Sequence, residues 1–209
     1  GVLGVHPSLL PTYRGAAPVA WALLNGETQT GVTIFQLDER LDAGPILSQR
    51  ALMIEPSHDA QTLTEHLAAV GAQELVKTLA ELEAGRITPR PQEESRATYA
   101  PKLTKAQGLI DWTQPASAIE RLVRATVPWP GASTSWAGRP LKVWVVGAEP
   151  APGGAPPGTV VAVSPEGVIV AAGDGRIVIR QLQPSAGRRM SVREFLAGHR
   201  VRPGERFGG

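Results

Sequence analysis

The chain contains no cysteine. That excludes a disulfide framework, a zinc–thiolate site, an iron–sulfur cluster and a cysteine nucleophile. No apolar run approaches the roughly 18–20 residues that a membrane span needs. The start, Gly1 to Leu10, lacks the basic opening and long apolar stretch of a secretory signal, so a cytoplasmic protein without membrane contact is expected. No H-E-x-x-H spacing and no phosphate-cradling glycine loop occurs, and His58, His66 and His199 stand in polar or helical contexts. No repeat with a period of about 20–50 residues is visible.

What is present fits an ordinary globular protein: 42% hydrophobic and 19% charged residues over 209 positions. Gly (23) and Pro (19) are numerous enough to imply many turns, yet below the share of about 25–30% that marks low-complexity disorder. The net charge of +2 hides a division. Residues 1–100 carry 7 Lys and Arg against 12 Asp and Glu, net −5; residues 101–209 carry 14 against 7, net +7. Such a split suggests two domains, the second facing a polyanion, although a basic surface without a partner would look the same.

The patterning divides the chain similarly. Leu3 to His6 reads as a strand end, and the prolines after His6 and Leu10 hold both residues out of helix. Ala16–Asn25, with Pro18 early and Gly26 as stop, reads as a helix, and Gly31–Leu37 and Ile46–Ile54 as strands. Ser57 or Asp59 caps a helix whose apolar stripe is Leu63, Leu67, Val70, Leu75, Leu79 and Leu82, with Gly71 a possible bend and Gly85 the end. Residues 87–99 read as a polar connector. Ser117 opens a short helix, followed by five short strands within 134–182 separated by Gly/Pro turns, including 151–158 and Gly173-Asp174-Gly175. Ser191 caps a final short helix. The expectation is an α/β part over 1–95, a linker over 96–104, and an all-β small open barrel over 105–209.

Two residues are candidates for chemistry. Histidine ordinarily titrates at about pH 6.5, so His6 can accept a proton near neutrality; a lone histidine there is more often a hydrogen-bonded structural one. Asp42, in Leu41-Asp42-Ala43-Gly44, can orient a histidine or simply bond its own turn. Taken singly, neither names a function. The five Trp residues are too scattered to read as a stacking platform.

Together the motifs resemble a known family. His6-Pro7-Ser8-Leu9-Leu10-Pro11-Thr12-Tyr13-Arg14-Gly15-Ala16-Ala17-Pro18, Gly31-Val32-Thr33-Ile34 and Leu41-Asp42-Ala43-Gly44 are similar to the formyltransferases that use 10-formyltetrahydrofolate. Thr98-Tyr99-Ala100-Pro101-Lys102-Leu103, Ile110-Asp111-Trp112, Pro128-Trp129-Pro130, Gly173-Asp174-Gly175 and the stretch from Leu182 to Met190 narrow this to the methionyl-tRNA branch.

The resemblance implies a Rossmann-like formyltransferase domain followed by an OB-like barrel. It implies transfer of a formyl group from 10-formyltetrahydrofolate to the amine of methionyl initiator tRNA, without a metal. His6 would handle the proton and Asp42 would hold the imidazole; Ser8, Leu9, Leu10 and Pro11 would line the folate site. Lys102, Lys105, Arg139, Lys142, Arg188 and Arg189 would contact tRNA phosphates, and the protein would be a monomer. The family's reactive Asn-x-His has Gly4 at its first position here. The resemblance also places Gly1 inside the family's catalytic domain, so weak activity of this chain is expected. The alternatives are a non-catalytic tRNA-binding fragment, or a sugar-amine formyltransferase, which shares the first cluster.

Overall fold

The structure is a computed structural model that describes residues 1–151 and 154–208. The chain folds as two units, Gly1–Leu103 and Thr104–Gly209. No described helix is long and apolar enough to cross a membrane.

The first unit is built on a three-stranded antiparallel sheet in the order β1 (Leu3–His6), β2 (Gln29–Gln36), β3 (Ile46–Met53). Helix α1 (Pro18–Leu24) begins on Pro18, whose missing N–H is no loss at a first helical position. Helix α2 (Ala60–Glu83) is capped by Asp59, which accepts the Thr62 N–H, while the Thr62 hydroxyl accepts the Asp59 N–H. It runs unbroken through Gly71. A Cβ there would stand 3.0 Å from Val5 and 3.3 Å from Val32, so this glycine serves close helix–sheet packing and not a bend.

The buried face of α2 is Leu63, Leu67, Val70, Gly71, Glu74 and Thr78. The expected stripe holds only as far as Val70: Leu79 is 48% and Leu82 36% exposed. The step from Val70 to Leu75 overshoots the helical period, so the seam passes instead through Glu74 and Thr78.

The polar segment after α2 is not a loose connector. Residue 90 exchanges backbone hydrogen bonds with Ile46, and Tyr99 bridges to Arg14. The Ala100 carbonyl accepts the Ala17 N–H, and Trp21 donates its indole N–H to the Pro101 carbonyl. The segment 96–104, expected as a linker, is thus fastened to the first unit through residues 98–101. Lys102, expected in the linker as a phosphate contact, is the exposed penultimate residue of the first unit.

The second unit is an antiparallel sheet in the order β4 (Ala132–Trp136), β5 (Arg139–Glu149), β8 (Arg176–Pro184), β7 (Gly167–Ala171), β6 (Val160–Ser164), with β9 (Met190–Ser191) also paired to β8. The tail touches both outer strands of that order: Phe207 bridges to Trp136 of β4, and Arg206 to Thr159 beside β6. Helix α3 (Ala116–Ala125) supplies Ile119 and Val123 to a core shared with Leu141, Val143, Ile177, Ile179 and Leu182. Its first turn is not capped by Ser117. The Ala116 N–H is taken by Asp174, side chain and carbonyl, from the Gly-Asp-Gly turn, which therefore has a structural task. Helix α4 (Val192–Gly198) is capped by Ser191, in a box with Glu194. The turn expected over 151–158 lies in part outside the described residues.

Candidate active site

The loop after β1 is held by a buried threonine. Thr33, fully buried on β2, donates its hydroxyl to the Ser8 carbonyl (2.7 Å) and accepts the Leu10 N–H (3.1 Å). Gln49 on β3 adds bonds to the Leu10 carbonyl (2.9 Å) and to the Thr33 hydroxyl (3.0 Å). Within the loop Ser8 donates to the Thr12 carbonyl, so its hydroxyl is spent on loop geometry, and Leu10 is buried. Leu9, Leu10 and Pro11 line a cleft of about 420 Å³, together with Tyr13, Gln49 and Arg96 among others. His6 and Asp42 do not line that cleft.

His6 ends β1 with its side chain 7% exposed. Its Nε2 lies 2.9 Å from the Tyr13 carbonyl oxygen. A carbonyl only accepts, so Nε2 carries the hydrogen and Nδ1 is the free, basic nitrogen of the neutral ring. Nδ1 faces Asp42 Oδ2 at 3.7 Å, and the same oxygen accepts the Gly15 N–H at 2.8 Å. A proton arriving at Nδ1 would meet a carboxylate already fixed in place.

The juxtaposition does not follow from strand ends. β1 and β2 are antiparallel, with His6 opposite Thr33, so their carboxyl ends point opposite ways. Asp42 comes from the loop between β2 and β3 and is held by Gly15 of the loop after β1.

Two glycines let the backbone pack closely around this pair. A Cβ on Gly15, at φ +120°, would stand 2.8 Å from the Ala100 oxygen, and one on Gly44 would fall 1.8 Å from the Gln36 oxygen. Gly4, at the position of the family's asparagine, is packed under Phe35. A Cβ there would lie 2.4 Å from that ring, whose edge-on neighbour is His6 at 6.4 Å between centroids.

Sequence reasoning missed the residues that fasten the two loops. Arg14 is 2% exposed and pairs with Glu94 at 3.0 Å. The hydrogen bond to Glu94 raises the guanidinium's pKa, and the same bond lowers that of the Glu94 carboxyl. Tyr13 donates its hydroxyl to Glu27 (2.6 Å); burial first, then this bond, raises its pKa. A signal was available for Arg14, which lies within the run from His6 to Pro18, but none for Glu94, which reads as a solvated polar residue.

Of the expected phosphate contacts, Lys142 and Arg189 converge. Both stand over the Trp144 ring, at 5.5 and 5.3 Å from its centroid, and Lys142 also donates to the Pro130 carbonyl. Arg188 is exposed but tied to Glu194 at 2.6 Å. Lys105 and Arg139 are exposed, the latter opening β5. Among the described residues no group of three or more His, Cys, Asp or Glu is placed to hold a metal ion.

Two family models match the chain: formyl transferase over residues 1–79 and the formyl transferase C-terminal domain over 102–200. It is 46% identical over 210 residues to a methionyl-tRNA formyltransferase of Roseiflexus castenholzii, covering 100% of this chain and 67% of that protein. A methionyl-tRNA formyltransferase of Chromobacterium violaceum is 46% identical over 208 residues, with 66% of its length covered. The chain thus spans about two thirds of the length of these relatives.

Among solved structures, HypX of Aquifex aeolicus in complex with tetrahydrofolic acid superposes with a TM-score of 0.72 at 25% identity, over 93% of this chain and 34% of that one. An N-formyltransferase of Helicobacter canadensis shares the fold, with a TM-score of 0.71 at 19% identity over 85% of this chain and 65% of that one. With the fold of the formyltransferases, and with relatives of this identity matched along its full length, the chain belongs to the methionyl-tRNA formyltransferase family.

Proposed function

We propose that this site transfers the formyl group of 10-formyltetrahydrofolate to the α-amine of methionine esterified to initiator tRNA, in the cytoplasm and as a monomer. The observation that carries the reading is the His6–Asp42 pair, with Nε2 spoken for by Tyr13 and Nδ1 turned to the carboxylate at 3.7 Å. The neutral amine attacks the formyl carbon and its C=O becomes an oxyanion. The amine's proton passes to His6 Nδ1, and the imidazolium is stabilised by Asp42. Collapse of the intermediate breaks the bond between the formyl carbon and N10 of the folate, which takes the proton from the His6 imidazolium as it leaves and returns the ring to its neutral form. No metal enters any step. The apolar surface of Leu9, Leu10 and Pro11 is where the folate would lie, with Ser8 shaping the loop from beneath.

Gly4 offers no side-chain donor to the oxyanion, and loss of one such donor typically costs on the order of 100–1,000-fold in turnover. The chain alone is therefore a slow catalyst. The tail's bridges to β4 and beside β6 support reading the second unit as an OB-like open barrel. Its basic residues Lys105, Arg139, Lys142, Arg188 and Arg189, and Lys102 of the first unit, would take the phosphates of the acceptor arm.

Formyl transfer is measured on the chain alone and on the chain joined to the part of the Roseiflexus relative that the match does not cover. The joined protein should formylate methionyl-tRNA, and His6→Ala and Asp42→Asn should each lower kcat at least about 100-fold, within the range that removing a general base produces. A joined protein that formylates an amino sugar nucleotide but not methionyl-tRNA would overturn the substrate. Activity that survives His6→Ala would overturn the site.

A further inference from the structure

We propose that Gln92 is a positioning residue of this site, clamping the Asp42 turn to the loop that holds His6; the proposal rests on the catalytic reading above. Gln92 lies in the polar segment after α2, ahead of the motif that begins at Thr98. The backbone pairing of residue 90 with Ile46 brings it beside the start of β3. From there its amide Nε2 donates to two carbonyls of one turn, those of Asp42 and Gly44, both at 2.8 Å. Its Oε1 accepts two N–H groups of Arg14, from Nε at 3.1 Å and Nη2 at 2.8 Å. Both N–H donors and both lone pairs of the amide are used. Its orientation is fixed by chemistry, since carbonyls only accept and a guanidinium only donates.

What the clamp joins makes it specific to this site. Arg14 is buried, and Glu94 braces its far side through Nη1 at 3.0 Å and Nη2 at 3.1 Å. The residues flanking Arg14 are the ones that hold the pair: Tyr13 accepts the His6 N–H, and Gly15 donates to Asp42. Asp42 itself stands at φ +49°, a left-handed conformation that favours glycine and persists only when its surroundings impose it. Gln92 grips the carbonyl of that residue and the one two positions on. Releasing the turn would let the carboxylate drift from Nδ1 without removing any group that touches substrate. Displacements of about 1 Å at a catalytic group typically cost on the order of 100-fold.

The test uses Gln92→Glu, which keeps the acceptors for Arg14 but turns the donors facing Asp42 and Gly44 into repelling oxygens. Gln92→Met, which keeps the volume and removes every polar contact, stands in should Q92E fail to fold. Two readouts are taken. The first is amide hydrogen exchange in the chain alone: Gly15 should exchange about 10-fold faster or more, while Val32 and Ile34 in β2 keep their protection. The second is formyl transfer by the joined protein, where kcat should fall roughly 10- to 100-fold with KM for both substrates within about twofold. Unchanged Gly15 exchange in a folded variant would overturn the clamp, and a raised KM at constant kcat would overturn its positioning role. If the parent joined protein formylates nothing, the catalytic reading fails, and Gly15 exchange still decides whether Gln92 fixes the Asp42 turn.

Discussion

Gly44 stands where no side chain fits, because a Cβ would fall 1.8 Å from the Gln36 carbonyl oxygen. Gly44→Ala should destabilise the protein by about 3 kcal/mol or more, the upper part of the range for forced overpacking, read as a drop in Tm. The motif Leu-Asp-Ala-Gly was legible as a turn; that its glycine is pressed against β2 was not, because the contact is with residue 36 and not with the turn itself. Gly4 poses the opposite question. The Phe35 ring fills the space a side chain would need, so Gly4→Asn alone should destabilise by about 1–3 kcal/mol. Gly4→Asn with Phe35→Leu should lose less than the sum of the two single changes, since both act on one space. An additive double-mutant cycle would show that Phe35 does not compensate for the missing asparagine. Thr33 reads in sequence as a β-branched strand residue, and only its pairing reveals that it carries the loop after β1 on one hydroxyl. Thr33→Val, the same shape without the hydroxyl, should cost about 1–3 kcal/mol by leaving the Leu10 N–H without its acceptor.

At the scale of elements, most boundaries could be read from capping and breaking residues, and faces less well. Asp59 and Ser191 announce α2 and α4 through side chains that reach their own helix. The start of α3 could not be read in this way, because its cap, Asp174, comes from 58 residues along the chain. α4 carries a pH dependence. The Glu194 carboxyl is pulled down to about 2, chiefly by the Ser191 N–H and then by Arg188 and the Ser191 hydroxyl. A carboxyl lowered in the folded state stabilises it fully above the ordinary carboxylate range and loses that contribution as pH falls toward about 2. The Ser191 amide, followed by NMR between pH 5 and about 2, should shift along the Glu194 titration while amides of β7 stay in place. A midpoint in the ordinary carboxylate range, near 4.3, would contradict the cap.

At the scale of the whole molecule, the second unit's positive balance should show in tRNA binding. Each neutralised phosphate contributes a slope of about −0.7 to −0.9 in log affinity against log salt, so three to five contacts cost roughly 2 to 4.5 log units per tenfold rise. Filter binding of tRNA to the full chain at two salt concentrations measures this. Lys142→Glu with Arg189→Glu should weaken binding and flatten the slope, since both cations lie over Trp144. Arg188 is a poorer choice, because a glutamate there would confront Glu194 and disturb the α4 cap. Affinity indifferent to salt would mean that the basic surface has another purpose.

The order of elements, the change of composition and charge midway, and the motifs that carry His6 and Asp42 were all legible in the sequence. The first two are local properties, and the motifs resemble a family's. What only the tertiary structure decided is how those residues are held. Nδ1 is the basic nitrogen because the Tyr13 carbonyl claims Nε2. Asp42 is fixed by the Gly15 N–H, and Gln92 and Arg14 tie the two loops together from 78 residues apart. The physical reason is that a polar group's partner is set by where the chain returns in space. A glutamine among polar neighbours reads the same in sequence whether water or two carbonyls complete its hydrogen bonds.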